Sequence, residues 1–110
     1  MTLSEMIQEL GLKKFHVEDE SLNEQVVSAY CGDLLSDVMA HAPHDSAWFT
    51  IQGHMNTIAV AQLKDILCIV LVNGVEPDSQ ALEKAETQKI NICGSSQTSA
   101  ALCMKLAGRL

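Results

Sequence analysis

Basic residues are scarce in this sequence. Its 110 residues include seven lysines and arginines against fourteen aspartates and glutamates, which gives a net charge of −7. The basic residues are also scattered, so we expect no binding to nucleic acid or to anionic membranes, both of which require a basic surface. At this net charge, a bound anion must be held by local groups rather than by the overall field of the protein.

Long apolar segments are also missing. The longest apolar run, residues 66–72, is much shorter than the roughly 20 residues that cross a bilayer. The N-terminal segment is acidic and amphipathic rather than basic and then apolar, so we predict no signal peptide. A cytoplasmic location is the resulting expectation.

The common catalytic and cofactor motifs are absent as well. The sequence has no G-x-S-x-G nucleophile elbow, no G-x-x-x-x-G-K-[ST] phosphate-binding loop and no G-x-G-x-x-G dinucleotide fingerprint. No serine or cysteine has an obvious base at helical spacing. We therefore predict that the chain is not an enzyme and that it binds no cofactor.

None of the four cysteines belongs to a Cys-x-x-Cys pair. Cys68 lies in an apolar run and Cys103 lies on a predicted helix, so both are interpreted as small core residues. A disulfide framework is not expected in a domain of this size and predicted location.

A metal or redox site is one further hypothesis. Its residues would be Cys31, His41, His44 and Cys93. Pro43 breaks the helix between the two histidines, so they need not share a face. No complete ligand set has the spacing of a known zinc site, and we therefore predict no metal site.

A regular alternation of strands and helices is what the sequence does have. Apolar residues make up 47% and aromatic residues only 4%, which suits an aliphatic core around a parallel sheet. An amphipathic helix with the capping box Thr2-x-x-Glu5 ends at Gly11. Strands are predicted over residues 12–17, 25–30, 47–52, 66–72 and 90–93, the last as an outer strand. The pattern predicts one α/β domain over residues 1–110, with three layers (α/β/α) and a mostly parallel sheet of about four to five strands.

The helices between these strands have predictable starts and inward faces. Asp33 is predicted to cap the second helix, on which Leu35, Val38, Met39 and Ala42 are expected to share one apolar face. Met55 and Leu63 are expected on the inward face of the third helix. The last helix is predicted over residues 97–110.

Each later strand ends in a short turn of small or polar residues. If the strands are parallel, these turns meet at the carboxyl edge of the sheet, where open α/β folds bind ligands. The free N–H groups of the last helix and the hydroxyls of Ser95 and Ser96 would favour an anion, with plain N-capping by these serines as the alternative. The candidate ligand-binding residues are Gly32, Asp33, Thr50, His54, Asn73, Gly74, Gly94, Ser95 and Ser96.

The candidate residues have different predicted roles. The glycine and serines after the last strand would hold the anion, whereas Thr50, His54 and Asn73 would orient the remainder of the ligand. For His54 and Asp33, the alternative is a helix cap without any ligand.

Two stretches of the sequence resemble a known family. Residues 27–39, VSAYCGDLLSDVM, resemble the strand and Asp-Leu-Leu-Ser-x-Val-Met helix of the DRTGG domain. Residues 69–78 resemble the strand, Thr-Gly-Gly turn and helix start of the same family, which is similar to the N-terminal domain of HPr serine kinase/phosphorylase. The family's Asp-Arg pair is replaced near His54, and of its Thr-Gly-Gly only Gly74 remains, so its ligand contacts are not transferred.

The resemblance implies a regulatory domain, which in one group of relatives accompanies control by adenine nucleotides. It also implies a stand-alone regulator linked to an iron-only hydrogenase or redox system. The function predicted is a non-catalytic sensor for a small anionic ligand, an adenine nucleotide among the candidates, in a homo-oligomer. The alternative is a protein–protein interaction or oligomerisation module without a ligand, which would expose an apolar patch including Trp48, Met39 or Leu110.

Overall fold

Five strands form one sheet, and five helices flank it. The computed structural model describes residues 1–110. The strands are β1 (Lys13–His16), β2 (Ser28–Cys31), β3 (Ser46–Thr50), β4 (Cys68–Leu71) and β5 (Ile92–Gly94). The helices are α1 (Leu3–Leu10), α2 (Leu35–His41), α3 (Met55–Leu63), α4 (Ser79–Gln88) and α5 (Ser99–Leu106), and a short 3-10 turn covers Asp19–Ser21.

The strand order across the sheet is β1-β5-β4-β3-β2. The pairs β2–β3, β3–β4 and β4–β5 are parallel, whereas β1 is antiparallel to β5. The predicted α/β class with a mostly parallel sheet is therefore confirmed. The central strand is β4, which is buried along its whole length, as its apolar sequence predicts. The prediction of an outer last strand is wrong, because β1 pairs with the remaining edge of β5.

Helices cover both faces of the sheet, which gives three layers. One apolar core lies between the sheet and helices α1 and α5, and it includes Leu3, Phe49 and Leu102. The other core lies between the sheet and helices α2, α3 and α4, and it includes Trp48 and Ile58. Successive residues of a strand point to opposite faces, so the adjacent aromatic residues of β3 fill different cores.

One edge of the sheet combines several loops. The carboxyl ends of β2, β3, β4 and β5 lie there, together with the amino end of the antiparallel β1. Edge strand β2 is only partly buried, and its last residue, Cys31, is exposed. The longest helix, α4, has ten residues, and none of the helices combines the length and the apolarity that a membrane span requires.

Five details of the helices differ from the predictions. The last helix, α5, covers Ser99–Leu106 and does not extend to residue 110. The N-cap of α2 is Leu34 rather than Asp33, whose carboxylate is used elsewhere. Met39, Met55 and Leu63 do not face the core: they are 39%, 41% and 71% exposed. The helix α3 is apolar around most of its circumference, so its spacing does not define a single inward stripe.

The capping box at the start of α1 is present as predicted. The Thr2 hydroxyl accepts from the N–H of Glu5 at 3.2 Å, and the Thr2 N–H donates to the Glu5 carboxylate at 3.0 Å. We expect Thr2→Ala to lower the free energy of unfolding by about 1 kcal/mol, because the N–H of Glu5 loses its partner, whereas the backbone N–H of residue 2 remains. Urea denaturation followed by circular dichroism measures this. The matched control is Ser4→Ala on the same helix turn, which is exposed; an equal loss in both variants would contradict the prediction.

Candidate functional site

A cleft of about 290 Å³ opens at the carboxyl edge, between the loops that follow α1, β4 and β5. Three of its lining residues are glycines. The complete lining is Gly11, Lys13, Phe15, Gly74, Val75, Glu76, Gly94, Ser95, Ser96 and Gln97. Its volume is at the lower end of the range for small-molecule sites in proteins.

The two loops on one side of the cleft hold each other through their backbones. The N–H of Gly74 donates to the Ser95 carbonyl at 2.9 Å, and the N–H of Asn73 donates to the Gln97 carbonyl at 3.0 Å. Asn73 and Gly74 both have positive φ, 58° and 76°, which makes this tight turn possible. The arrangement fixes the cleft wall, but it also uses two backbone N–H groups that could otherwise face an anion.

The serines lie in a loop before α5 rather than at the helix start. The N-cap of α5 is Thr98, whose hydroxyl accepts from the N–H of Ala101 at 3.1 Å. N-capping by Ser95 or Ser96 is therefore wrong. The Ser95 hydroxyl accepts from the N–H of Gln97 at 3.0 Å, and Ser96 is exposed at the cleft.

A lysine completes the cleft from the antiparallel strand. Lys13 lies opposite Gly94 in the β1–β5 register, and its ammonium nitrogen lies 5.0 Å from the centre of the Phe15 ring. That ring covers Gly94 so closely that a Cβ atom there would overlap it. The cleft thus combines one cation, an aromatic ring and serine hydroxyls, opposed by the single acid Glu76.

A second group of candidate residues lies further along the edge, between the ends of β2 and β3. The Asp33 carboxylate accepts from the Thr50 hydroxyl at 2.8 Å and from the N–H of Ile51 at 2.9 Å. The Gln52 amide donates to the Asp33 carbonyl at 2.9 Å, and its oxygen lies 2.6 Å from His54 Nε2. This Asp33 network joins two loops through internal hydrogen bonds.

The structure therefore divides the nine candidate residues. Four of them line the cleft: Gly74, Gly94, Ser95 and Ser96. Asp33, Thr50 and His54 belong to the Asp33 network, and Gly32 next to it accepts a hydrogen bond from Trp48 at 2.8 Å. Asn73 supports the cleft wall through its backbone.

Six residues that line the cleft were missed from the sequence: Lys13, Phe15, Gln97, Gly11, Val75 and Glu76. The first two lie on β1, whose antiparallel pairing is a long-range feature. Gln97 lies two residues beyond Ser95, and its side-chain oxygen accepts from Lys105 at 2.9 Å. A sequence signal was available for β1 only: Lys13 and Phe15 are two positions apart, so they share one face of a predicted strand.

The residues of the metal or redox hypothesis do not come together. Strands β3 and β4 separate Cys31 from Cys93, which is buried. The side chain of His41 contacts Asp37, and that of His44 contacts Asp45. No group of three or more histidines, cysteines, aspartates and glutamates is placed to hold a metal ion.

One carboxyl group beside edge strand β2, that of Asp37, has a shifted pKa, and it lies outside the cleft. The Tyr30 hydroxyl donates to the Asp37 carboxylate, and this hydrogen bond holds the pKa of Asp37 below its usual value, with His41 adding to the effect. The same bond raises the pKa of Tyr30. This pair joins β2 to α2 and is therefore a structural contact beside the Asp33 network.

Comparisons with known proteins show a similarity to a solved structure. No family model matches the sequence, and no curated protein matches it. The fold is similar to a crystal structure of the CBS and DRTGG domains of the regulatory region of Clostridium perfringens pyrophosphatase, complexed with its activator, diadenosine tetraphosphate. The TM-score is 0.75 at 12% identity, over 99% of this chain and 47% of that chain.

At this level of identity, the similarity shows a shared fold. The chain spans about half the length of the pyrophosphatase structure. A DRTGG-like fold, as the sequence resemblance implies, agrees with this similarity. The likeness to the N-terminal domain of HPr serine kinase/phosphorylase stays a prediction.

Proposed function

We propose that this chain is a non-catalytic regulatory domain that binds a small anionic ligand in the cleft at the carboxyl edge. An adenine nucleotide is the ligand class that we favour. The observation on which this proposal depends is the cleft itself, where Lys13 lies opposite Gly94 and beside the serine loop. The similar pyrophosphatase region is regulatory and was crystallised with a nucleotide activator, which supports the same class of function.

The cleft residues suit the two parts of a nucleotide. The ammonium group of Lys13 and the hydroxyls of Ser95 and Ser96 would bind phosphate oxygens. The exposed part of the Phe15 ring offers an apolar surface to a base. Since the chain has a net charge of −7, these local groups must provide the attraction. The size of the cleft fits one nucleotide unit, or one end of a longer dinucleotide.

A thermal-shift screen tests the proposal. Inorganic phosphate, AMP, ATP and diadenosine tetraphosphate are added separately to the purified chain. A ligand at a hundredfold excess over its dissociation constant stabilises the folded state by about 2.7 kcal/mol, which raises the Tm by several degrees. Affinities are then measured by isothermal titration calorimetry. Absence of a shift with every compound would contradict the proposal.

Variants locate the binding. We expect Lys13→Gln, and separately the double variant Ser95→Ala with Ser96→Ala, to weaken binding about tenfold, since each removes a favourable contact with phosphate. The matched control is Lys14→Gln, which removes the same charge from the next residue of β1, outside the cleft. A second control is His41→Ala, on α2. Equal weakening in the controls would place the ligand elsewhere.

The second candidate function is an interaction module. Edge strand β2 has a free side, and Val27, Leu34 and Met39 near it are exposed, whereas Trp48 is fully buried and Leu110 is 45% exposed. Unpaired strand edges can bind a further strand from a partner or from a second copy. A concentration-dependent mass in analytical ultracentrifugation, without any ligand shift, would favour this function. The link to a hydrogenase or redox system stays a prediction from the sequence resemblance.

A further inference from the structure

Two cysteines that are distant in the sequence lie side by side at the surface. Cys31 ends edge strand β2, and Cys103 lies on α5. Their sulfur atoms are 3.4 Å apart across a separation of 72 residues. Cys31 is exposed and Cys103 is half-buried, so a small molecule in solution can reach one of the two thiols directly.

We propose that Cys31 and Cys103 form a thiol-oxidation site, which closes to an intramolecular disulfide on reaction with a low-molecular-weight disulfide and opens again on reduction. The class of co-reactant is represented by oxidised glutathione. Disulfides of this reversible kind are typical of redox-responsive proteins in reducing compartments.

The geometry favours closure within one chain. A disulfide has a sulfur–sulfur bond of about 2.05 Å, so the two sulfur atoms must approach by only roughly 1.4 Å. Small side-chain rotations supply a movement of this size. Strand β2 pairs only with β3, so the backbone at its end can also shift without breaking hydrogen bonds to a second neighbouring strand.

The two thiols differ in exposure, and this difference determines which of them reacts first. The Cys31 thiolate attacks one sulfur of the small disulfide, which forms a mixed disulfide and releases one thiol molecule. The Cys103 sulfur, after losing its proton to solvent, then attacks the Cys31 sulfur and releases the second thiol molecule. In total, two protein S–H groups are oxidised to one S–S bond, and one small disulfide is reduced to two thiols.

The environment of Cys103 supports its role as the second thiol to react. Burial, and then the hydrogen bond with Cys31, raise the pKa of Cys103 to about 12. A thiol with a raised pKa reacts slowly from the reduced state. Once Cys31 is in a mixed disulfide, its hydrogen bond and its charge no longer act on Cys103, so the second step becomes easier.

The other two cysteines provide an internal control. Cys68 on β4 and Cys93 on β5 are completely buried in the core under α1 and α5. A hydrogen bond to Cys93, together with burial, raises the pKa of the Cys68 thiol well above its usual value. Buried protonated thiols are inert, so both should stay reduced under conditions that oxidise the surface pair.

The test is oxidation of the reduced 110-residue chain with oxidised glutathione. After alkylation and unfolding, peptide mass spectrometry without reductant should show a cross-link between Cys31 and Cys103, with Cys68 and Cys93 alkylated. Because the cross-link closes a long loop between β2 and α5, the Tm should rise by roughly 10 °C, and dithiothreitol should reverse the rise.

Single variants test the order of the two steps. Cys103→Ser should stop at the mixed disulfide of glutathione with Cys31, whereas Cys31→Ser should react with oxidised glutathione at least about tenfold more slowly. Should a variant not fold, the wild-type peptide map alone decides. Four free thiols after oxidation, stable glutathione on Cys31 of the wild type, or a cross-link between two copies of the chain would each overturn the proposal.

Discussion

Replacement of Trp48 by alanine is expected to lower the free energy of unfolding by about 4 kcal/mol. The side chain is completely buried in the core between the sheet and helices α2 to α4. Its indole N–H also donates to the Gly32 carbonyl at 2.8 Å, which ties β3 to the loop after the edge strand. A loss of this size is a large part of the total stability of a small domain. Urea denaturation followed by circular dichroism measures it.

Two comparisons separate the packing of Trp48 from its hydrogen bond. Trp48→Phe keeps a large ring but removes the N–H, so it should lose less stability than Trp48→Ala. In the wild type, the emission of this single tryptophan should be blue-shifted and resistant to quenching by acrylamide or iodide. A loss below about 1 kcal/mol in Trp48→Ala would show that the side chain does not fill a tight core.

Burial of Trp48 also changes the interaction hypothesis. The sequence placed this residue among those that could form an exposed apolar patch, together with Met39 and Leu110. In the structure Trp48 and Phe49 fill the two opposite cores, because β3 is an inner strand with helices on both sides. The sequence around β3 could not reveal this, since the position of a strand in a sheet depends on pairing with distant strands.

Most of the fold was predictable because its signals are local. The capping box of α1 and the apolar run of β4 depend on neighbouring residues, and both are found where they were expected. The antiparallel pairing of β1 with β5 joins residues about 80 positions apart, such as Lys13 and Gly94. That pairing has no local signal, so the sequence predicts β5 at the edge of the sheet, where the structure has β1.

The candidate site was predictable to a similar degree. The turns after β4 and β5 indicated Gly74 and the serine loop, and both line one cleft. The cation that faces them, Lys13, follows only from the β1–β5 register. The same limit applies to Cys103: its helix position suggested a core residue, but its contact with Cys31 joins residues 72 positions apart and has no local signal.

Asn91 is expected to be the polar side chain with the largest effect on stability. It is 4% exposed and lies just before β5. Its amide group donates to the Leu67 carbonyl at 2.8 Å, and its oxygen accepts from the N–H of Glu18 at 2.8 Å. Asn91→Ala leaves both backbone groups without this partner, so we expect a loss of about 3 kcal/mol in urea denaturation.

A control and a local measurement make this expectation specific to the two hydrogen bonds. Asn23→Ala removes the same side chain from an exposed turn and should leave the stability nearly unchanged. In Asn91→Ala, hydrogen exchange at the Glu18 amide should accelerate more than exchange at the centre of β4, because the loop after β1 loses its anchor to β5. Uniform acceleration across both positions would mean that Asn91 acts through general packing, and its role as a bridge between these loops would then be wrong.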